Sequence, residues 1–357
     1  MLKILTSRKD TSRCPAAAVA LLATPDGAMP LIPIFMGDHN MEATAGQAGK
    51  TKFQIDLRRY LREDGEDEQL IHLICEIAEA SKYIINSIRT GDLGVAGTSN
   101  LYGEQQLALD VLSDRILRKR LAQSGVVSNV VSEETADIVF IAPHRTGNFS
   151  VAYDPLDGSS LVDVNLAVGT IVSIYRGCDL MQPGTKQVAA LYILYGPRTT
   201  LVYTTGHGVH EFGMNQLMEY TLLRRNVRME PKASIYAPGG LRSLYTPGTD
   251  KFVRQLESNG VKLRYSGGLV PDFNQILMKG KGVFFYPHLQ NAPQGKLRLL
   301  FELNPMAFLM EQAGGAASNG RQRILDLVPQ KFDERSPFFC GCRDDVAMAE
   351  ACIREEG

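Results

Sequence analysis

Apolar residues along this chain change their spacing several times, and each change marks an element. Between residues 67 and 89, Leu70, Ile71, Ile74, Ile77, Ala78, Ile84, Ile85 and Ile88 keep largely to a three-and-four rhythm. That rhythm predicts a helix with one face packed on a core. Residues 91–97 interrupt it with glycines. A second helix is predicted over 103–123, with Leu107, Leu109, Val111, Leu112, Ile116, Leu117 and Leu121 as its apolar set. Short β-branched runs follow at 126–131, 138–142, 148–153, 167–175, 188–195 and 200–205 and read as strands. Further on, a helix is expected over 250–257, strands over 282–286 and 297–303, and a helix over 304–312 that Gly314-Gly315 ends. This mixture of strands and helices points to a layered α/β sandwich.

With 357 residues, the chain can bury a large core and hold two subdomains, whose border is placed at 205/206. Residues 1–50 stand apart: Lys3, Arg8, Lys9 and Arg13 precede a short apolar run at 14–23, and acids are few. They are expected to form a disordered extension. The net charge of −1 and the lack of any basic run argue against nucleic acid as a partner. No apolar stretch reaches the roughly 18 residues of a membrane span. Cys14, Cys75, Cys178, Cys340, Cys342 and Cys352 show no zinc-site spacing, which suits buried thiols and a cytoplasmic location.

Candidate chemistry concentrates in Val151-Ala-Tyr-Asp-Pro-Leu-Asp-Gly-Ser-Ser160. Pro155 has no N–H to give a ladder, so the strand is expected to stop there. Asp154 and Asp157 can then face one point, where two carboxylates suit a hard cation. Gly158, Ser159 and Ser160 offer small hydroxyls and backbone donors to an anion. Together these describe a metal-dependent phosphate site. Glu133-Glu134 follow an earlier strand, and Glu302 interrupts the apolar run Leu299-Leu300-Phe301 and Leu303. A lone buried acid costs several kcal/mol unless it is paired or on a metal. Strand ends of an α/β sheet converge at one rim, so these acids are expected to meet there.

The string Asp154-Pro-Leu-Asp-Gly-Ser-Ser160 resembles the signature of the lithium-sensitive sugar and inositol phosphatase superfamily, in the form found in class 1 fructose-1,6-bisphosphatases. The segments Gly103-Glu104 to Leu109-Asp110, Val131-Ser132-Glu133-Glu134 and Lys296-Leu-Arg-Leu-Leu-Phe-Glu-Leu-Asn-Pro-Met-Ala307 are similar to that family's other motifs. The likeness covers roughly residues 65 to 350. It implies an αβαβα sandwich of the sugar phosphatase type, with a metal-binding subdomain at 51–205 and a sugar-phosphate-binding one at 206–357. It also implies two or three Mg²⁺ per subunit on Glu133, Asp154, Asp157, Glu302 and the Leu156 carbonyl. Glu104 would lie beside the third ion, and Asp110 with Glu134 would prepare the attacking water. Asp157, Gly158, Ser159 and Ser160 would hold the scissile phosphate, and Arg264, Tyr265, Tyr286 and Lys296 the sugar and the distal phosphate.

The reaction so implied is hydrolysis of the 1-phosphate of fructose 1,6-bisphosphate, by a phosphoric monoester hydrolase. Because the matching arginine of relatives reaches in from a neighbour, Arg264 implies a homo-oligomer, dimer or tetramer. The segments 195–200 and 263–276 look more like sedoheptulose-1,7-bisphosphatases, so a seven-carbon sugar is the alternative or second substrate. An inositol-type monophosphatase and a sugar-phosphate sensor without turnover are weaker readings. The second anion set argues against the former, and the complete acid set against the latter.

Overall fold

The fold is a computed structural model that describes residues 55–90, 95–99, 105–141 and 147–356, with the backbone alone at 95–99, 105–107 and 136. The extension expected at 1–50 and Glu104 lie outside the described residues. A short helix, α1 (Leu57–Glu63), precedes the long α2 (Glu68–Thr90). Strands β1 (Val95–Ser99) and β2 (Gln105–Leu107) pair antiparallel ahead of α3 (Ala108–Gln123). The second helix therefore starts later than its apolar pattern suggested, because that pairing takes the backbone groups of 105–107.

An eight-stranded sheet follows, built from β3 (Val127–Ser132), β4 (Thr135–Phe140), β5 (Phe149–Asp157), β6 (Val168–Arg176), β7 (Gln187–Tyr195), β8 (Thr199–Thr204), β9 (His210–Met214) and β10 (Tyr220–Arg224). Its spatial order is β10-β9-β8-β7-β6-β5-β3-β4. A smaller sheet combines β11 (Ile235–Pro238), β12 (Lys262–Leu263), β13 (Gly282–Tyr286), β14 (Ala316–Ser318) and β15 (Phe338–Gly341), in the order β12-β11-β13-β15-β14. Four helices complete it: α4 (Pro247–Ser258), α5 (Leu269–Lys279), α6 (Asn304–Gln312) and α7 (Arg343–Arg354). The large sheet runs past 205 to Arg224 because β8, β9 and β10 form one antiparallel meander. Both sheets lie in one compact unit, 53–357.

Three apolar clusters set the layers. Leu61 of α1, Ile74 and Ile77 of α2 and Leu117 of α3 pack on one face of the large sheet, against Val151, Tyr153 and Leu191. Its other face, with Ile171, Ala190 and Tyr192, meets Phe273 of α5 and Met306 and Leu309 of α6, which also cover Phe284 and Phe338 of the small sheet. Phe252 of α4 and Val346 and Ile353 of α7 close the far side over Val283, Phe285 and Phe339. The result is the expected αβαβα sandwich. Burial on both faces explains why β5, β6 and β7 read as nearly continuous apolar runs rather than alternating ones.

Two close approaches bring the site together. Gly169 on β6 stands opposite Asp157 in the ladder, and a Cβ there would lie 2.4 Å from Val270 at the start of α5. Gly169→Ala is therefore expected to cost about 1–3 kcal/mol through overpacking, measured by urea denaturation. Gly239 likewise leaves room for the ring of Tyr286, which a Cβ would meet at 2.1 Å.

Candidate active site

The site grows from the parallel pair β3 and β5. Ser132 stands beside Tyr153, and the N–H of Glu133 donates to the Tyr153 carbonyl at 3.1 Å, so the two acid-bearing strand ends arrive side by side. β5 does not stop at Pro155. It continues to Asp157 with a register shift between Asp154 and Asp157, a bulge that accommodates the missing donor. The Asp154 carboxylate accepts the Leu156 N–H at 2.9 Å, and Thr170 donates to the Pro155 carbonyl at 2.8 Å. After Gly158, at φ +76°, a short 3₁₀ turn covers Ser159–Val164.

Residues 299–303 are not a strand. They form one wide helical turn in which the N–H groups of Glu302 and Leu303 both donate to the Arg298 carbonyl, at 3.1 Å. The run is buried on all sides, so its apolar pattern carried no period. Alternation puts Asp154 on the same face of β5 as Ala152, and Ala152 packs against Leu300 and Phe301 of that turn. Glu302 is thereby set over Asp154. The closest carboxylate oxygens of Asp154, Asp157 and Glu302 all lie within 4.8 Å of one another.

All three acids are buried. Burial pushes Asp154 well above the carboxylate range, and the charges of Glu133, Asp157 and Glu302 push the same way. Burial lifts Asp157 to about 7, against the pull of the Val270 N–H, which donates to its carboxylate at 2.7 Å. Burial and then Glu133 lift Glu302 to about 8, while Arg298 opposes them. At an effective dielectric of 20, two charges 4.8 Å apart repel by about 3.5 kcal/mol. An all-oxygen cluster short of positive charge is what a hard divalent cation fits.

The same shifts give a pH dependence. Folded Asp157 and Glu302 hold protons that the unfolded chain has already released near pH 4, so their contribution is complete below that and is lost as pH rises through about 7 and 8. The metal-free protein is expected to melt at a lower temperature at pH 8.5 than at pH 5.5, and saturating Mg²⁺ to reverse much of that loss. Equal melting temperatures in EDTA at the two pH values would contradict it.

A cavity of about 330 Å³ opens over the acids. It is lined by Asp110, Glu133, Glu134, Asp154, Leu156, Asp157, Gly158, Ser159 and Ser160, and by Tyr265, Tyr286, Lys296 and Glu302. Asp110 is buried in the first turn of α3. The Lys296 ammonium lies 5.6 Å from the centre of the Tyr286 ring, at the end of β13. Of the residues picked from sequence, Arg264 alone among those described does not line the cavity. It is exposed, and its guanidinium donates to the Leu263 carbonyl at 2.7 Å.

Several wall residues escaped the candidate set. Arg298 is 5 % exposed, pairs with Glu133 through its guanidinium, and donates its N–H to Glu302 at 2.5 Å. Its place two residues after Lys296 was the available signal. Arg335 also lines the cavity, on a segment bridged antiparallel to Arg298. Buried Asp272 takes the N–H groups of Ser266 and Gly267, at 2.9 and 3.4 Å, and so fixes the Gly267-Gly268 wall. No local motif marks either residue.

Comparison with known proteins agrees with this architecture. Residues 50–225 match the model of the fructose-1-6-bisphosphatase N-terminal domain, and residues 229–354 that of its C-terminal domain. The chain is 90 % identical over 316 residues to the class 1 fructose-1,6-bisphosphatase of Syntrophotalea carbinolica, covering 88 % of this chain and 99 % of that one. It is 68 % identical over 304 residues to the namesake of Pelobacter propionicus, covering 85 % and 94 %. Among solved structures, the holo fructose-1,6-bisphosphatase of Leishmania major superposes with a TM-score of 0.80 at 31 % identity, covering 84 % of this chain and 99 % of that one. A Toxoplasma gondii structure assigned as a sedoheptulose-1,7-bisphosphatase gives 0.78 at 32 %, covering 85 % and 99 %. On its matched domains, its relatives and its layered fold, this chain belongs to the fructose-1,6-bisphosphatase family, within the sugar phosphatase superfamily.

Proposed function

We propose that this chain hydrolyses the 1-phosphate of fructose 1,6-bisphosphate, with Mg²⁺ held by Glu133, Asp154, Asp157, Glu302 and the Leu156 carbonyl, two or three ions per subunit. The observation that carries this is the cluster of buried carboxylates sharing one cavity with Ser159, Ser160 and Lys296. The family is metal-dependent and acts on a sugar bisphosphate. When bound, the metal supplies charge for the phosphoryl and leaving oxygens and acidifies a coordinated water.

The protein's own groups do the rest. Ser159 and Ser160 face the cavity and donate to the oxygens of the scissile phosphate. Asp110 and Glu134, which both line the cavity, take the proton of the attacking water as a pair. Lys296, Tyr265 and Tyr286, which also line the cavity, hold the sugar and the distal phosphate. Lys296→Met is expected to raise KM by about 10- to 100-fold, the worth of one hydrogen bond to a charged group, with a smaller change in kcat. Steady-state kinetics on fructose 1,6-bisphosphate check it. That Arg264 is exposed and outside its own cavity supports the reading that it serves the cavity of a neighbouring copy in a homo-oligomer.

Phosphorus NMR of the reaction tests the regiochemistry. Loss of the C1 phosphate signal with retention of the C6 signal supports the proposal, and loss of the C6 signal first contradicts it. The segments 195–200 and 263–276 and the similarity to the Toxoplasma gondii structure favour sedoheptulose 1,7-bisphosphate as a second substrate. The ratio of kcat/KM for the two sugars decides between one substrate and two.

A further inference from the structure

We propose that Tyr195 and Thr170 are positioning residues for the metal-binding end of β5. They act through a one-way chain of buried hydrogen bonds that ends on Asp154, and the role rests on Mg²⁺ being held by Asp154 and the Leu156 carbonyl. Neither residue lines the cavity. Tyr195 is 3 % exposed and Thr170 is fully buried.

The direction of the chain follows from its atoms. Thr170 Oγ1 lies 2.8 Å from the Pro155 carbonyl, which can only accept, so the single hydroxyl hydrogen of Thr170 points there. Thr170 Oγ1 also lies 2.9 Å from the Tyr195 hydroxyl. With its hydrogen committed, Thr170 accepts at that contact and Tyr195 donates. The N–H of the same peptide group, that of Leu156, donates to Asp154 Oδ1 at 2.9 Å. The bonds therefore run in one sense, from Tyr195 through Thr170 and the Pro155–Leu156 peptide to the Asp154 carboxylate. Hydrogen bonds aligned in this way polarise one another, and more strongly away from water. The Leu156 N–H becomes a better donor and holds the carboxylate in one orientation.

The sheet explains why a side chain is needed at this place. On β6, Ile171 stands opposite Asp154 and Gly169 opposite Asp157, so Pro155 and Leu156 together face Thr170. A bulge of this kind leaves backbone groups out of the ladder, and the Thr170 hydroxyl meets one of them. Tyr195, opposite Val168 on β7, reaches Thr170 along the diagonal. The surroundings are dry, since Val168, Val172, Ile193, Tyr195 and Leu156 all belong to the core that α2 and α3 cover. Alternation puts Thr170 on that face with Val168 and Val172. Asp154 serves the cavity instead, so the chain carries the packing of one side of the sheet to the ligands of the other.

The test is Mg²⁺ binding by calorimetry, with steady-state kinetics alongside and melts in EDTA to check folding. Wild type is compared with Thr170→Val, Thr170→Ser, Tyr195→Phe and the double variant of Thr170→Val with Tyr195→Phe. Thr170→Val keeps the volume but loses the hydroxyl, and is expected to weaken Mg²⁺ binding about 10- to 100-fold, the usual effect of removing a group that orients a metal ligand. KM for fructose 1,6-bisphosphate at saturating Mg²⁺ should change little. Thr170→Ser restores the donor and should recover wild-type affinity. Tyr195→Phe should weaken binding alone but add nothing to Thr170→Val, because the tyrosine acts through the threonine. Wild-type Mg²⁺ affinity in folded Thr170→Val, or Thr170→Ser as impaired as Thr170→Val, would overturn the proposal. If Thr170→Val does not fold, Tyr195→Phe, which leaves the bond to Pro155 in place, decides by the same comparison of affinities. Wild type that binds no Mg²⁺ would overturn the metal site and this role together, which separates the two failures.

Discussion

Replacing Asp157 with asparagine is expected to lower kcat/KM for fructose 1,6-bisphosphate by about a hundred- to a thousandfold, the range seen when one preorganised electrostatic group is removed. The metal-free protein should at the same time become more stable. Asp157 is buried, and its carboxylate is lifted to about 7 by burial, with Glu133 adding to the lift. An asparagine keeps an oxygen to accept the Val270 N–H and removes one charge from a crowded set. Relief of a single pairwise repulsion is worth about 3–4 kcal/mol before solvent rearrangement. The same substitution deletes an oxygen that the cation needs. Gain in stability with loss of activity is the signature of an acid placed for function, and a merely structural acid would lose both. Kinetics with Mg²⁺ and thermal melts in EDTA read the two effects. Activity within tenfold of wild type would count against the assignment.

Arg298→Met carries the second large effect, in the opposite direction. Its guanidinium is the cation paired with Glu133, and the acids nearest to Glu133 are themselves buried. Methionine fills a similar volume without the charge. Glu133 is then left beside Asp154, Asp157 and Glu302, and breaking a buried pair of this sort costs about 3–5 kcal/mol. Urea denaturation in EDTA at pH 8 should show that loss. The backbone N–H of residue 298 still reaches Glu302, so the turn itself survives. Adding Glu133→Gln to Arg298→Met should recover much of the stability, because the two groups are coupled. If the double variant is as unstable as the sum of the single ones, the pair is not what holds the wall.

The sequence announced those parts of the site that follow strands. Glu133, Asp154 and Asp157 each come at the end of a β-branched run, and parallel pairing of β3 with β5 brings such ends together. The long helix over α2 was legible because one of its faces meets solvent and so leaves a period. Glu302 was recognisable as an odd buried acid, but the turn that carries it was not, since a fully buried run looks alike as strand or helix. α5 was hidden by its own start, where Gly267, Gly268 and Pro271 resemble a loop. Proline is tolerated in a first helical turn, where its missing N–H has no partner to lose. β9 to β12 are short and partly solvated, and their pairing is set by distant segments rather than by local pattern. Arg335 lines the cavity through tertiary contacts alone, and Asp272 acts only behind the Gly267-Gly268 wall.

Release of inorganic phosphate from fructose 1,6-bisphosphate by the folded protein, with Mg²⁺ and then with EDTA, tests the central claim most directly. Sedoheptulose 1,7-bisphosphate is assayed in parallel. The carboxylate cavity predicts release that requires the metal, stops on chelation and returns when Mg²⁺ is restored. Folded protein that releases no phosphate from either sugar at saturating Mg²⁺, or that releases it equally well in EDTA, would contradict it.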